Sequence, residues 1–274
     1  MIDPVVSLSW LQQHRDHVVL ADVRWYLDGR SGPNAYQAGH LPGAVFVDLD
    51  QWLAGQPSAE EGRHPLPSPA LFAGGMARLG ISDADTVIAY DDAGGTTAAR
   101  LVWMLRVTGR SAALLDGGLQ AYSGPLETGT PVREPAPFTP RPWPAEYLAT
   151  IDDATDPANV VIDARDRARY RGDTEPVDPR PGHIPGARSL PCRENLAPDG
   201  AFLPVPQLRQ KLADAGVTDA TDATVLISYC GSGVTACHNL LMIEHAGLGR
   251  GRLYPGSWSQ YSHTSLPAAT TGTP

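Results

Sequence analysis

Gly39-His40-Leu41-Pro42-Gly43-Ala44 recurs as Gly182-His183-Ile184-Pro185-Gly186-Ala187, and this recurrence decides the fold. Upstream of each copy lies a β-branched run, Val18-Val19-Leu20-Ala21-Asp22-Val23-Arg24 and Val160-Val161-Ile162-Asp163-Ala164-Arg165. Downstream, Thr86-Val87-Ile88-Ala89-Tyr90 corresponds to Thr224-Val225-Leu226-Ile227-Ser228-Tyr229, and Leu115-Asp116-Gly117-Gly118 to Tyr254-Pro255-Gly256-Ser257. Four blocks in the same order at a near-constant spacing mean two copies of one domain. The copies are expected over 1–124 and 145–274. Gly124 to Pro144 holds seven prolines. Proline fixes φ and removes a donor, so 125–144 reads as an extended, fairly stiff linker.

Each copy alternates short strand patterns with helical ones. The expected strands are Val18–Val23, Thr86–Tyr90, Ala112–Leu115, Val160–Asp163, Thr224–Tyr229 and Arg252–Tyr254. Ser68-Pro69 followed by Leu71, Phe72, Met76 and Leu79 has the form of an N-cap, a first-turn proline and an apolar stripe. Thr97–Val107 and Thr235–His245 are further expected helices. This alternation predicts an α/β fold, each copy a mostly parallel sheet with helices on both faces. Sites in such sheets lie beyond the carboxyl ends of strands, here after Tyr90 and after Tyr229.

Composition narrows the chemistry. The 274 residues carry 21 Lys+Arg against 30 Asp+Glu, a formal charge of −9, with 42% apolar residues. The acidic balance argues against nucleic acid or an anionic membrane as partner. No apolar run is long enough to span a bilayer, and Met1-Ile2-Asp3-Pro4 does not open a signal peptide. The 28 glycines and 26 prolines are spread among apolar segments, as tight turns require. The tail Ala268–Pro274 reads as small, polar and mobile. Only Cys192, Cys230 and Cys237 occur, which is no disulfide framework and fits a cytoplasmic location.

The two strand ends differ chemically. After Tyr229 comes Cys230-Gly231-Ser232-Gly233-Val234-Thr235, a glycine-rich loop that feeds a helix. Such a loop turns backbone N–H groups inward, and a helix N-terminus adds positive partial charge. Cys230 is therefore placed as a thiolate nucleophile in an amide cradle. The competing reading is a buried structural thiol. In the first copy Asp91 stands where Cys230 stands. A carboxylate cannot carry sulfur, so that copy is expected to be catalytically silent. Cys237 falls within the following helix as core packing, and Cys192 lies in a loop after Pro191. Cys230, Cys237 and His238 lack the paired spacings of a zinc site, so no metal is expected. By residue type alone, His64 reads as a surface histidine and Asp50 as a turn aspartate.

The repeat, the Gly-His-Ile-Pro-Gly-Ala block and the loop Cys230-Gly231-Ser232-Gly233-Val234-Thr235-Ala236 together resemble tandem rhodanese-type sulfurtransferases, from about Val18 to Tyr261. Within that family the chain resembles the mercaptopyruvate branch. Gly231 and Ser232 stand where thiosulfate enzymes usually carry cationic side chains. The resemblance implies a Ser-His-Asp arrangement of Ser232, His64 and Asp50, and a substrate-carboxylate arginine at Arg169. The family's second arginine follows a Glu-Pro pair, but Val177 follows Glu175-Pro176 here, leaving Arg180 as the candidate substitute. Arg165, Arg167 and Arg171 lie nearby and include solvated or structurally paired side chains. Loop residues Gly231, Gly233, Val234 and Thr235 would bind the donor's sulfur. Trp25 resembles a family tryptophan near the cleft, while His40 and His183 belong to the repeated turn.

The implied reaction moves a sulfane sulfur from 3-mercaptopyruvate, through a Cys230 persulfide, to a thiol, a thioredoxin-type dithiol or cyanide, without a cofactor. Alternatives are thiosulfate as donor, or a non-catalytic module that binds a partner. Cysteine-dependent phosphatases need an arginine where Ala236 stands. One chain supplies all the implied site residues, so a monomer is expected to suffice.

Overall fold

The computed structural model describes residues 2–270. The chain forms two compact units. The first comprises the described residues of Met1–Gly55, Leu66–Trp143 and Leu196–Phe202, and the second Gln56–Pro65, Pro144–Asn195 and the described residues of Leu203–Pro274. Each unit therefore takes a short segment from the other half of the sequence.

In the first unit the strands are β1 (Val5–Val6), β2 (Val18–Asp22), β3 (Val45–Phe46), β4 (Thr86–Tyr90) and β5 (Ser111–Leu115). They form a five-stranded sheet in the order β1-β5-β4-β2-β3, every pairing parallel. Helices α1 (Leu8–His14), α2 (Gly32–Ala38), α3 (Pro69–Arg78) and α4 (Ala98–Val107) connect them. Ser68 caps α3 by accepting the Leu71 N–H, with Pro69 in the first turn, as the sequence pattern requires. The proline-rich stretch packs on this unit. Glu127 bridges His40, and Phe138 meets Phe72 edge-on under the Arg110 guanidinium.

The second unit contains α5 (Ile151–Thr155), β6 (Val160–Asp163), α6 (Arg167–Arg171), β7 (Arg188–Ser189), α7 (Val205–Asp214), β8 (Leu226–Tyr229), α8 (Ala236–His245), β9 (Arg252–Leu253) and α9 (Ser257–Tyr261). Its sheet runs β7-β6-β8-β9, again parallel throughout. The expected strand from Thr224 begins two residues later, because Asp222 accepts the Thr224 N–H and turns 223–225 into a 3₁₀ helix. The expected mobility of the tail does not hold at its start. Ala269 forms an antiparallel bridge with His183 and Ala268 packs on the core; 271–274 lie outside the described residues.

The repeated hexapeptide has the same physical job in both units. Asp22 and Asp163 end the central strands, buried, each paired with the arginine two residues on at 2.7 and 2.6 Å. The same guanidinium nitrogen donates to the carbonyl of Gly39 or Gly182. Tyr36 and Tyr170 donate to the last carbonyl of the motif, Ala44 or Ala187. His40 and His183 stack on those tyrosines and donate to their carbonyls. The Leu41 and Ile184 N–H groups donate to the hydroxyls of Tyr90 and Tyr229. A buried charge is tolerated only when paired and fully hydrogen-bonded, so the motif and the strand end must persist together. Burial pushes the Tyr229 phenol far above its usual range and His183 below its own. The last residue before Cys230 is thereby fixed as a neutral hydrogen-bonding group.

Asp91, at the end of β4, is buried and accepts five bonds. They come from the N–H groups of Ala93, Gly95, Thr97 and Ala98 and from the Thr97 hydroxyl, all between 2.7 and 2.9 Å. Replacing it by alanine leaves those amides without an acceptor, each at a cost of about 1–3 kcal/mol. Asp91→Ala should lower Tm by about 5 °C or more. A calorimetric scan checks this, and a Tm within about 1 °C of wild type contradicts it.

Candidate active site

The second-unit site is built from β8 outward. Cys230 directly follows the strand and is 2% exposed. Its own N–H donates to the Ser257 hydroxyl at 3.2 Å, and its sulfur accepts the Gly233 N–H at 3.1 Å. Gly233 sits at φ +77°, and a Cβ there would lie 2.6 Å from the Pro255 carbonyl oxygen. Only glycine lets the chain turn its amide back onto the sulfur so close to its neighbour. Val234 and Thr235 lead into α8, whose first turn uses their carbonyls for Cys237 and His238. The helix is buried along almost its whole length. Cys237 donates to the Gly233 carbonyl and so braces the loop from below.

A short helix closes the other side. The N–H groups of Trp258 and Ser259 in α9 donate to the carbonyls of Cys230 and Gly231 at 3.0 and 2.8 Å. Ser257 opens α9 at φ +52°, a conformation that costs energy for any residue but glycine. Its hydroxyl accepts from Cys230 and donates to the Tyr254 carbonyl, which offsets that strain. Nothing in the residue pattern marks Ser257 as a support of the cysteine loop; the positive φ does.

The segment Gln56–Pro65 belongs to this unit and carries two polar side chains to the loop. Ser58 and Gly62 pair as a small antiparallel bridge. The Arg63 N–H donates to the Ser259 hydroxyl at 2.9 Å, and Gln260 reaches the Glu60 carbonyl. His64 then lies buried with its Nδ1 2.7 Å from the Ser232 hydroxyl. The surface reading of His64 is thus overturned, because the segment folds against α9 instead of lying in solvent. Asp50 belongs to the first unit, in a helical turn over Leu49–Leu53, and accepts the Trp25 indole N–H at 3.0 Å.

The two arginines singled out from sequence part company. Arg169, on α6, is bound to Glu175 and to Asp178 at 2.7 and 3.0 Å, and its Nη1 lies 3.3 Å from the position a Cβ on Gly231 would occupy. Arg180 instead donates to the carbonyls of Tyr261, Ser262 and Leu266. All three of its guanidinium nitrogens are spent holding the chain after α9, and the structure does not bring it to the loop. Arg63, which sequence reasoning passed over, does reach it, with Nη2 3.2 Å from the same Gly231 position.

Arg165 pairs with Asp163 and Glu175, Arg167 with Glu194, and Arg171 with Asp173. Cys192 opens a 3₁₀ turn, fully enclosed, and burial pushes its thiol up to about 12. It is held as a neutral thiol at neutral pH, whereas Cys230 has a loop amide on its sulfur.

Chemically, the arrangement offers a sulfur nucleophile with an amide donor, a neighbouring hydroxyl coupled to an imidazole, and cationic groups against the loop backbone. Comparisons with known proteins agree with this inventory. The rhodanese-like domain model matches residues 7–124 and again 144–264. The chain is 39% identical to a probable 3-mercaptopyruvate sulfurtransferase of Pseudomonas aeruginosa, over 92% of each chain. It is 38% identical to a candidate thiosulfate sulfurtransferase of Mycobacterium tuberculosis, over 97% of this chain and 95% of the relative. Identity to the human 3-mercaptopyruvate sulfurtransferase is 35%, over 90% and 86% respectively. Among solved structures, the Leishmania major 3-mercaptopyruvate sulfurtransferase superposes with a TM-score of 0.84 at 32% identity, covering 95% of this chain and 74% of that one. An Escherichia coli protein described as a 3-mercaptopyruvate sulfotransferase of rhodanese fold gives 0.82 at 31% identity, covering 94% and 100%. Two parallel α/β units with a cysteine loop at the end of a strand, matched over nearly the whole chain, make this protein a member of the rhodanese family, a sulfurtransferase of the 3-mercaptopyruvate or thiosulfate type.

Proposed function

We propose that the protein takes sulfur from 3-mercaptopyruvate and passes it through a Cys230 persulfide to a thiol, a thioredoxin-type dithiol or cyanide. The observation that carries this reading is the 2.7 Å hydrogen bond from His64 to Ser232, which stands in the same loop as Cys230. A thiosulfate donor leaves as sulfite and needs no proton on carbon. Mercaptopyruvate leaves as an enolate that must be protonated, so a hydroxyl coupled to an imidazole has work to do only with that donor.

The Cys230 thiolate attacks the donor's sulfur. The new S–S bond forms as the donor's C–S bond breaks, and that bonding pair leaves on the pyruvate enolate. The proton originally on the donor's thiol goes to the Ser232–His64 couple, which returns it to the enolate carbon to give pyruvate. Asp50 is the carboxylate that the family resemblance assigns to the same relay. The Gly233 N–H stabilises negative charge on sulfur as an oxyanion hole does on oxygen. An acceptor thiolate then attacks the outer sulfur, and Cys230 leaves as the thiolate that began the cycle. The first unit's own strand-end loop carries no sulfur, because Asp91 already fills its amide cradle.

The Mycobacterium tuberculosis relative favours a second reading, with thiosulfate as donor. Comparing both donors on purified protein decides between them, and mercaptopyruvate should give the higher kcat/KM. Thiosulfate turnover in excess of mercaptopyruvate turnover reverses the assignment. Cys230→Ser should reduce transfer from either donor by about a thousandfold or more; near-normal turnover in that variant ends the persulfide route. Ser232→Ala should lower kcat with mercaptopyruvate by about a hundredfold while sparing thiosulfate. Equal loss with both donors contradicts the relay.

A further inference from the structure

We infer that the second unit carries an oxyanion site at the outer edge of its sheet, built by Arg188 and Lys211, that takes the phosphate group of a small organic molecule. The site is a cavity of about 640 Å³ between the edge strand β7, α6 and the end of α7. Its walls include Tyr170, Arg188, Ser189, Leu190, Lys211 and Gly216, and no residue of the cysteine loop. The inference is independent of which donor supplies the sulfur.

Three observations carry it. First, Arg188 is a sheltered cation without a carboxylate. Its Nη1 donates to the Ala215 carbonyl at 2.8 Å, and among the described residues its Nε and Nη2 make no hydrogen bond. Every other sheltered arginine described in this unit meets a carboxylate or, like Arg180, spends all its nitrogens on carbonyls. A guanidinium drawn out of water without a counter-ion is costly to keep. Second, the end of α7 makes room for it. Gly216 stands at φ +75°, and a Cβ there would lie 1.3 Å from Arg188 Nη1, so only glycine admits the guanidinium. Third, further unmatched polar groups stand on the same walls. Lys211, in the last turn of α7, is half-buried and makes no hydrogen bond or ion pair among the described residues. The Ser189 hydroxyl is buried without a hydrogen-bond partner.

Arg188 and Lys211 also complement the carbonyl end of α7. That role uses one Arg188 nitrogen and leaves the Nε–Nη2 edge, the fork that grips two oxygens of an anion. The walls carry Arg167, Arg188 and Lys211 against Asp214 alone, in a chain of net charge −9. Arg167 is already answered by Glu194 at 2.7 Å, and Asp214 accepts the Gln210 amide at 2.8 Å. Two positive charges are left over, which match a phosphate dianion better than a single carboxylate. Tyr170, Leu190 and Ala213 supply apolar surface for the rest of the ligand, and the volume suits a small molecule more than a bare ion.

The test titrates phenyl phosphate into the full chain by calorimetry at fixed ionic strength, with benzoate as the singly charged carboxylate for comparison. Phenyl phosphate should bind with a Kd of about 1 mM or below, and benzoate about tenfold more weakly. Arg188→Gln should weaken phenyl phosphate about tenfold or more, and Lys211→Gln about threefold or more. Lys211 holds no other group in place, so its variant reads binding even where loss of the Arg188 bond to α7 unfolds Arg188→Gln. No binding of phenyl phosphate to the wild-type protein up to about 10 mM overturns the site. Undiminished affinity in Lys211→Gln overturns it as well, because the anion then binds elsewhere. Benzoate binding as tightly as phenyl phosphate overturns the choice of a phosphate ligand.

Discussion

The chemistry proposed for the second unit depends on the Cys230 sulfur being held against the Gly233 N–H at the carboxyl end of β8. The first unit carries an internal illustration of what such a strand-end loop can hold. There Asp91 occupies the corresponding position, and four amides and one hydroxyl close on its two oxygens. The first unit's loop thus closes on a carboxylate at the position where the second unit carries Cys230. In the second unit one amide, that of Gly233, is on the Cys230 sulfur. Preorganised dipoles of this kind need no rearrangement as charge moves.

The loop keeps its shape because its two ends are clamped. On one side Asp163, Arg165 and the Gly182–Ala187 turn fix Tyr229 through the Ile184 N–H. On the other, Ser257 and the first amides of α9 take the N–H of Cys230 and the carbonyls of Cys230 and Gly231. The Arg165 guanidinium lies 4.6 Å from the Trp258 ring centroid, so the two clamps also touch each other. Trp258 in turn donates its indole N–H to the Arg180 carbonyl at 2.9 Å. This explains why Arg180 sits in the α9 framework and not at the cysteine loop.

How much of this could be read from the chain depends on how local each interaction is. The two α/β units were legible because the Gly-His-Leu/Ile-Pro-Gly-Ala turn makes the same bonds in each, and those bonds tolerate few other residues. The cysteine loop was legible because strand end, glycines and helix start are contiguous in sequence. Ser232 and His64 were paired only through family resemblance. Their contact joins positions far apart, and it forms because 56–65 folds with the second unit. Arg63 was invisible for the same reason. Arg180 looked suitable by spacing from Glu175, but spacing does not reveal that the carbonyls after α9 claim all its donors. Ser257 could not be found at all from sequence, since a strained φ in a non-glycine residue leaves no pattern.

The central claim is that sulfur leaves the donor onto Cys230 and no other thiol. Incubating the protein with 3-mercaptopyruvate in the absence of acceptor, then mapping peptides by mass spectrometry, tests it most directly. The account predicts the added mass of one sulfur atom on the peptide containing Cys230, removed by cyanide with release of thiocyanate. Pyruvate release with the added sulfur on Cys192 or Cys237, or with no added mass on the protein, would contradict it.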